Sequence, residues 1–204
     1  MTDFDTVTGA DGPAEDADPF YSYKASLAGA PMMLWLRRDG LEWSVGRHAG
    51  LIRYDRVRRV RLTYRPASLQ SHRFIAEIWP TDGPKIRIVS TSWHGLAMQQ
   101  RQDGPYAAFI VELHRRLAAA GSTARLQCGM AAVAHAIGLA VVGATTLTFA
   151  GLMLKAAQLA EWKALAVIAA LFAVFGWQLG NYFLRNRPGE YRPDAVPPRV
   201  LPRG

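Results

Sequence analysis

The stretch Met33-Leu-Trp-Leu-Arg-Arg-Asp-Gly-Leu-Glu-Trp-Ser-Val45 decides the fold of the N-terminal half. Asp39-Gly40 stands between two apolar-rich runs, the strongest short signal for a β-hairpin. A two-residue turn predicts pairing of Arg38 with Leu41, Arg37 with Glu42 and Leu36 with Trp43, with opposite charges on one face and apolar side chains on the other. Upstream, Tyr21, Tyr23, Ala25 and Leu27 alternate with polar residues, the period of a strand with one buried face. Downstream, Leu51 to Val57 and Arg59 to Arg65 read as strands, the second with Val60, Leu62 and Tyr64 on one face and Arg59, Arg61, Thr63 and Arg65 on the other. Arg73 to Trp79 alternates again, Pro80 to Pro84 turns, and Lys85 to Ser90 sets Ile86 and Ile88 inward with Lys85 and Arg87 outward. The whole is an antiparallel meander.

Ser92 to Gln102 has no clear period. Beyond it Tyr106, Phe109, Ile110, Leu113 and Leu117 form a single helical stripe, with Asp103 as the expected cap and Gly121 as the stop. A helix after a run of strands most simply covers an open end of the rolled sheet. The segments Leu34 to Trp43, Ile52 to Leu62, Lys85 to Val89 and the final helix resemble the bacterial pleckstrin-homology-like domains of membrane proteins, over residues 20–121. That resemblance implies a small, strongly bent seven-strand sheet capped by a helix; the residues themselves give six or seven strands, so the expected fold is α+β, an antiparallel rolled sheet capped by a C-terminal helix.

Two later stretches have another character. Gly129 to Leu154 is 26 residues without Asp, Glu, Lys or Arg, and Ala164 to Leu184 is another 21. At about 1.5 Å per residue each exceeds the roughly 30 Å hydrocarbon core of a bilayer, so residues 127–184 are expected to form a two-helix transmembrane hairpin. Arg115, Arg116 and Arg125 precede it and Arg185, Arg187 and Arg192 follow it, against Lys155 and Lys163 in the link. The positive-inside rule then puts both termini in the cytoplasm, as in a multi-pass protein of the cell inner (plasma) membrane. Small residues Ala169, Ala173, Gly176 and Gly180 share one helix face, suited to packing inside the hairpin, between protomers or against another membrane protein. His135, Gln178, Asn181 and Thr145, Thr146 and Thr148 are the polar residues inside the spans, expected to be satisfied by a backbone carbonyl or by hydrogen bonds between the helices.

The charge of +8 is unevenly spread: residues 1–19 carry −6 and residues 20–126 carry +10. The acidic N-terminal segment has no apolar run, which argues against a cleavable signal, and reads as a disordered tail able to fold over the basic face. Residues 185–204, rich in proline and arginine, read as a second disordered tail.

One cysteine, Cys128, excludes an internal disulfide and any multi-cysteine zinc site, and is expected to be a small buried hydrophobe. His48, His72, His94, His114 and His135 show no metal-ligand spacing. His94 shares a stretch with Ser90 and Ser92, and the expectation is a loop that caps a helix with Ser92 or Ser90. No nucleophile, acid–base set or phosphate loop can be nominated, so no enzyme, no cofactor and no metal is expected.

The positive chemical signal is the row Arg59, Arg61 and Arg65, extended by Arg73, Lys85 and Arg87 from neighbouring strands. Such a face beside a bilayer suits anionic lipid headgroups or an acidic protein, although 20 Arg against 4 Lys also fits a compositional bias. Trp35, Trp43 and Trp79 are assigned to the sheet, which leaves no exposed aromatic for base stacking and argues against nucleic acid. The function expected is a non-enzymatic scaffold or regulator in the membrane; the alternative is an accessory subunit of a membrane complex or transporter, acting through the hairpin.

Overall fold

A computed structural model describes residues 18–66, 72–93 and 99–202. The expectations for residues 1–17 and for His94 lie outside them. The described strands are β1 (Phe20–Tyr23), β2 (Met32–Leu36), β3 (Gly40–Val45), β4 (His48–Arg53), β5 (Val57–Pro66), β6 (His72–Pro80), β7 (Ile86–Val89), β8 (Thr91–Trp93), β9 (Gln99–Arg101), β10 (Arg125–Cys128) and β11 (Gly189–Glu190). The helices are α1 (Asp103–Ala119), α2 (Ala132–Gln158) and α3 (Trp162–Arg185). The architecture is α+β. One antiparallel sheet runs β1-β2-β3-β4, a second runs β11-β10-β5-β6-β7, and β8 pairs with β9.

The apolar alternation places the core. Leu34, Leu36, Leu41, Val60, Leu62, Ala76, Ile78 and Ile88 are buried between the sheets. α1 adds Tyr106, Phe109, Ile110, Leu113 and Leu117, the stripe expected of it. Between β7 and β1 the sheets are joined by hydroxyls: Tyr21 donates to the Val89 carbonyl at 2.7 Å and Tyr23 donates to the Arg87 carbonyl. Both phenols are raised by burial, Tyr23 to about 12, so they remain protonated donors.

Several local expectations are corrected. The hairpin is real, but its register is Leu34 with Trp43, Trp35 with Glu42 and Leu36 with Leu41. A type I′ turn needs positive φ at both central residues, and neither Asp39 nor Gly40 has it. Gly40 is instead the first residue of β3, opposite Arg53 of β4, and a Cβ there would collide with the Ile52 carbonyl. Close approach to the next strand, not turn geometry, requires this glycine. The shift is by two residues, so the faces are preserved, and Arg37 still reaches Glu42 at 2.6 Å.

β1 ends at Tyr23, short of Ala25 and Leu27. Asp103 lies inside the first turn of α1, held by Arg101, and the N-cap position belongs to Gln102 without a side-chain bond. Gly121 does end the helix, with φ of +62° and its N–H on the Ala118 carbonyl. Ser90 and Ser92 cap no helix: their hydroxyl oxygens accept from the backbone N–H groups of Phe74 and Lys24 and tie strands together.

The β-rich unit also extends past residue 121. Arg125-Leu-Gln-Cys128 adds to β5 as a parallel strand, with Leu126 and Cys128 buried. The C-terminal stretch is ordered, contrary to the disordered tail expected: β11 pairs with β10, and Val200 is fully buried in the core. Its prolines and arginines conceal apolar pegs at Tyr191, Val196, Val200 and Leu201, which pack against that core. Tyr191 donates to Nε2 of the buried His114, whose Nδ1–H donates to Ile110.

The chain leaves this unit after β10 and returns at Asn186. α2 and α3 are each long and apolar enough to cross a membrane, and their outward residues are uncovered: Leu147 is 75% exposed and Trp177 79%. The helices run four and two residues, respectively, beyond the expected spans at the link side. They pack through Phe149 on Phe172 and Gly138 against Phe183, not through the glycine pair of α3. A Cβ on Gly176 or Gly180 would meet nothing within 4 Å. Thr145 and Thr148 donate to carbonyls of their own helix, not between helices. His135 meets the Phe183 carbonyl at 3.4 Å.

Candidate functional site

The basic face is built on the outer side of the β11-β10-β5-β6-β7 sheet. Register sets Arg59 opposite Trp79, Arg61 opposite Glu77, Arg65 opposite Arg73, and Arg87 beside Glu77. All six expected cations therefore lie on or beside one sheet face, but they do not act as one patch. Glu77 sits in the middle row and takes Lys85 at 2.7 Å. Arg61 donates to the Gln127 side chain at 3.0 Å. What remains is two clusters at opposite ends of β5.

The first cluster is Arg65 and Arg73, with Arg87, the register partner of Glu77, near enough for its charge to be felt at Arg73. Arg65 and Arg73 are directly opposed across β5 and β6, a like-charge pairing that costs stability. Burial, followed by the charges of Arg87 and Arg65, holds Arg73 below its ordinary value, and among the described residues its buried Nε has no hydrogen-bond partner. Among the described residues no carboxylate lies within ion-pair distance of the three.

This end of β5 is also where the helices join. Gly129 donates to the Leu62 carbonyl at 2.8 Å, and Met130 to the Asn186 carbonyl at 2.9 Å. Asn186, 1% exposed, continues the strand pairing with its side chain: Oδ1 accepts from Tyr64 N–H at 3.0 Å and Nδ2 donates to the Tyr64 carbonyl at 2.6 Å. Arg185 covers the Tyr64 ring at 4.7 Å. Gly129 has φ of +77°, and a Cβ would strike the Asn186 and Arg187 carbonyls, so only glycine fits there. The hairpin is thus fastened to the sheet at both of its ends.

The second cluster lies at the start of β5, where the register slips between Val57 and Arg59. The bulge leaves Arg58 as an extra residue and turns it into the same groove as Arg59. Thr123 and Arg125 close the groove from the segment entering β10, and Trp79 and Pro80 complete it. Arg59 stacks on the Trp79 ring at 4.1 Å, with Lys85 at 5.1 Å and Arg61 at 5.6 Å from the same ring. Trp79 therefore belongs to the outer face of the sheet and carries cations, where the sequence reading only gives it to the sheet and leaves no aromatic exposed.

The acidic segment preceding β1 is described only from Asp18, and Asp18 pairs with Arg37 at 2.8 Å and reaches Arg116 at 3.7 Å, away from the basic face. Among the described residues no group of three His, Cys, Asp or Glu could hold a metal ion. Sequence reasoning missed Arg58, Arg125 and Asn186. The bulge and the Asn186 clamp leave no local pattern; the strand containing Arg125 does, in the alternation of Arg-Leu-Gln-Cys. No family model, curated protein or solved structure matches the chain.

Proposed function

We propose that this chain is a non-enzymatic integral membrane protein whose basic, pleckstrin-homology-like unit engages anionic lipid headgroups at the cytoplasmic face of the inner (plasma) membrane, in a scaffolding or regulatory role. The observation that carries the reading is the opposed pair Arg65 and Arg73 at the end of β5 from which the apolar helices depart, with the charge of Arg87 felt at Arg73 and, among the described residues, no carboxylate within ion-pair distance of the three. Neighbouring cations with no carboxylate in ion-pair distance among the described residues lower their cost by meeting anions. Near an anionic leaflet each is worth about 1 kcal/mol. Four antiparallel strands, then three, then the short β8–β9 pair and a covering helix support the pleckstrin-homology-like reading. The arginines flanking the hairpin favour cytoplasmic termini.

The test uses the full chain, because the hairpin is inserted within the β-rich unit and a fragment ending near residue 121 would lack β10, β11 and the C-terminal pegs. In nanodiscs of phosphatidylcholine with phosphatidylserine, the thermal midpoint of the β-rich unit should exceed that in phosphatidylcholine alone. Arg65→Gln, Arg73→Gln and Arg87→Gln together should abolish the difference. An unchanged difference removes the triad from the site. A second reading, an accessory subunit acting through the hairpin, is favoured by the open face at Gly176 and Gly180. Gly176→Leu with Gly180→Leu should then shift the assembly to smaller size.

A further inference from the structure

We propose that the groove at the start of β5, bounded by Arg58, Arg59, Thr123, Arg125, Trp79 and Pro80, binds the phosphate group of a water-soluble ligand. This goes beyond headgroup binding and rests on different residues. The groove is about 490 Å³, large enough for a phosphate carrying a small organic group. Among the described residues three arginines line it and no acidic residue does. Among the described residues none of the three has a carboxylate within ion-pair distance.

The site is built, not incidental. A conformational irregularity, the bulge, is spent on bringing Arg58 alongside Arg59. Stacking on Trp79 fixes the plane of the Arg59 guanidinium and buries its Nε with no acceptor, leaving the outer edge of the fork as the place where its charge can be met. Arginine forks match the tetrahedral oxygens of phosphate, and three of them suit a dianion better than a single carboxylate. Thr123 adds a hydroxyl, and Trp79 with Pro80 offers an apolar floor for the organic part.

The position separates this groove from the bilayer. Arg59 and Arg65 are six residues apart along β5, about 20 Å. That is twice the roughly 8–10 Å over which surface charge is felt at physiological salt. Arg125 is likewise at the end of β10 away from α2.

The probe is inorganic pyrophosphate, titrated calorimetrically into the full chain in phosphatidylcholine nanodiscs, with chloride as the competing anion. Saturable one-to-one binding is expected. Arg58→Gln with Arg125→Gln should weaken it about tenfold or more, the loss expected for charge-assisted hydrogen bonds. Both are exposed, so the fold should hold; an unchanged thermal midpoint checks this, and the matching lysine substitutions should recover part of the affinity. Arg65→Gln with Arg73→Gln should leave it unchanged. Absent or unsaturable binding overturns the proposal, as does equal weakening by the two variant pairs. In nanodiscs containing phosphatidic acid the affinity should persist; its abolition would mean that a headgroup fills the groove, and the soluble-ligand assignment falls.

Discussion

The β-rich unit and the helical hairpin treat apolar side chains in opposite ways. In the first, Leu34, Leu36, Leu62 and Ile88 are fully buried between sheets and under α1. In the second, Leu147, Val133, Leu184 and Trp177 are more than two-thirds exposed, and Ala156 is the one buried residue of the two helices. Burial of apolar surface is what drives a chain to fold in water, and the hairpin declines it over two full-length helices. The difference is the one that a chain with its β-rich unit in water and its helices in lipid would show, and on the proposed reading an exposed leucine means different things in each.

Substitution by a charge is the strongest way to break this comparison. Leu147→Arg places a charge near the middle of α2, where a bilayer penalises it by about 2.5–3.5 kcal/mol, and should abolish stable insertion in a membrane-fractionation assay. Leu51→Arg, on the exposed face of β4 at 54%, should change the thermal midpoint little, within about 0.5 kcal/mol. If both are tolerated alike, the two regions share one solvent.

The joint between the regions gives the next effect. Asn186→Ala would remove the two buried hydrogen bonds that its side chain makes to the Tyr64 backbone, and should destabilise the β-rich unit by about 2–3 kcal/mol, read by chemical denaturation in detergent. Gly129→Ala should be of similar size, because it is both strained at φ of +77° and obstructed. A loss confined to the hairpin, with the sheet untouched, would contradict the clamp.

The smallest expected effect is a pH dependence confined to the β-rich unit. Burial holds His114 below its ordinary value of 6.5, and its two ring nitrogens are placed for the neutral form, donating to Ile110 and accepting from Tyr191. A histidine depressed in the folded state binds protons more readily when unfolded, so its contribution is complete above pH 6.5 and is lost as pH falls below it. Stability between pH 7 and pH 5 should fall for the native chain and fall less for His114→Gln. An equal slope in both would remove His114 from the account.

How much of this was legible follows from which signals are local. Period-two alternation in Arg59 to Arg65 fixed the outward face of β5, and the charge-free runs fixed the hairpin, because each depends on neighbours in sequence. The hairpin register was missed by two residues because Gly40 answers to Ile52, a contact made across strands. The C-terminal stretch looked disordered by composition, yet a few apolar side chains on a preformed edge suffice to order it. The basic face looked single because alternation tells only which side a residue points to; Glu77, the bulge at Arg58 and the arrival of Arg125 divide it, and each depends on pairing between strands.

The most direct measurement is the reactivity of single cysteines toward a membrane-impermeant maleimide, in the full chain within native membranes. Leu147→Cys and Leu51→Cys are both well exposed on the molecule. With the hairpin in lipid, the cysteine at position 51 should label in opened vesicles while that at position 147 stays unreactive until detergent is added. Equal labelling of the two before detergent would contradict the account.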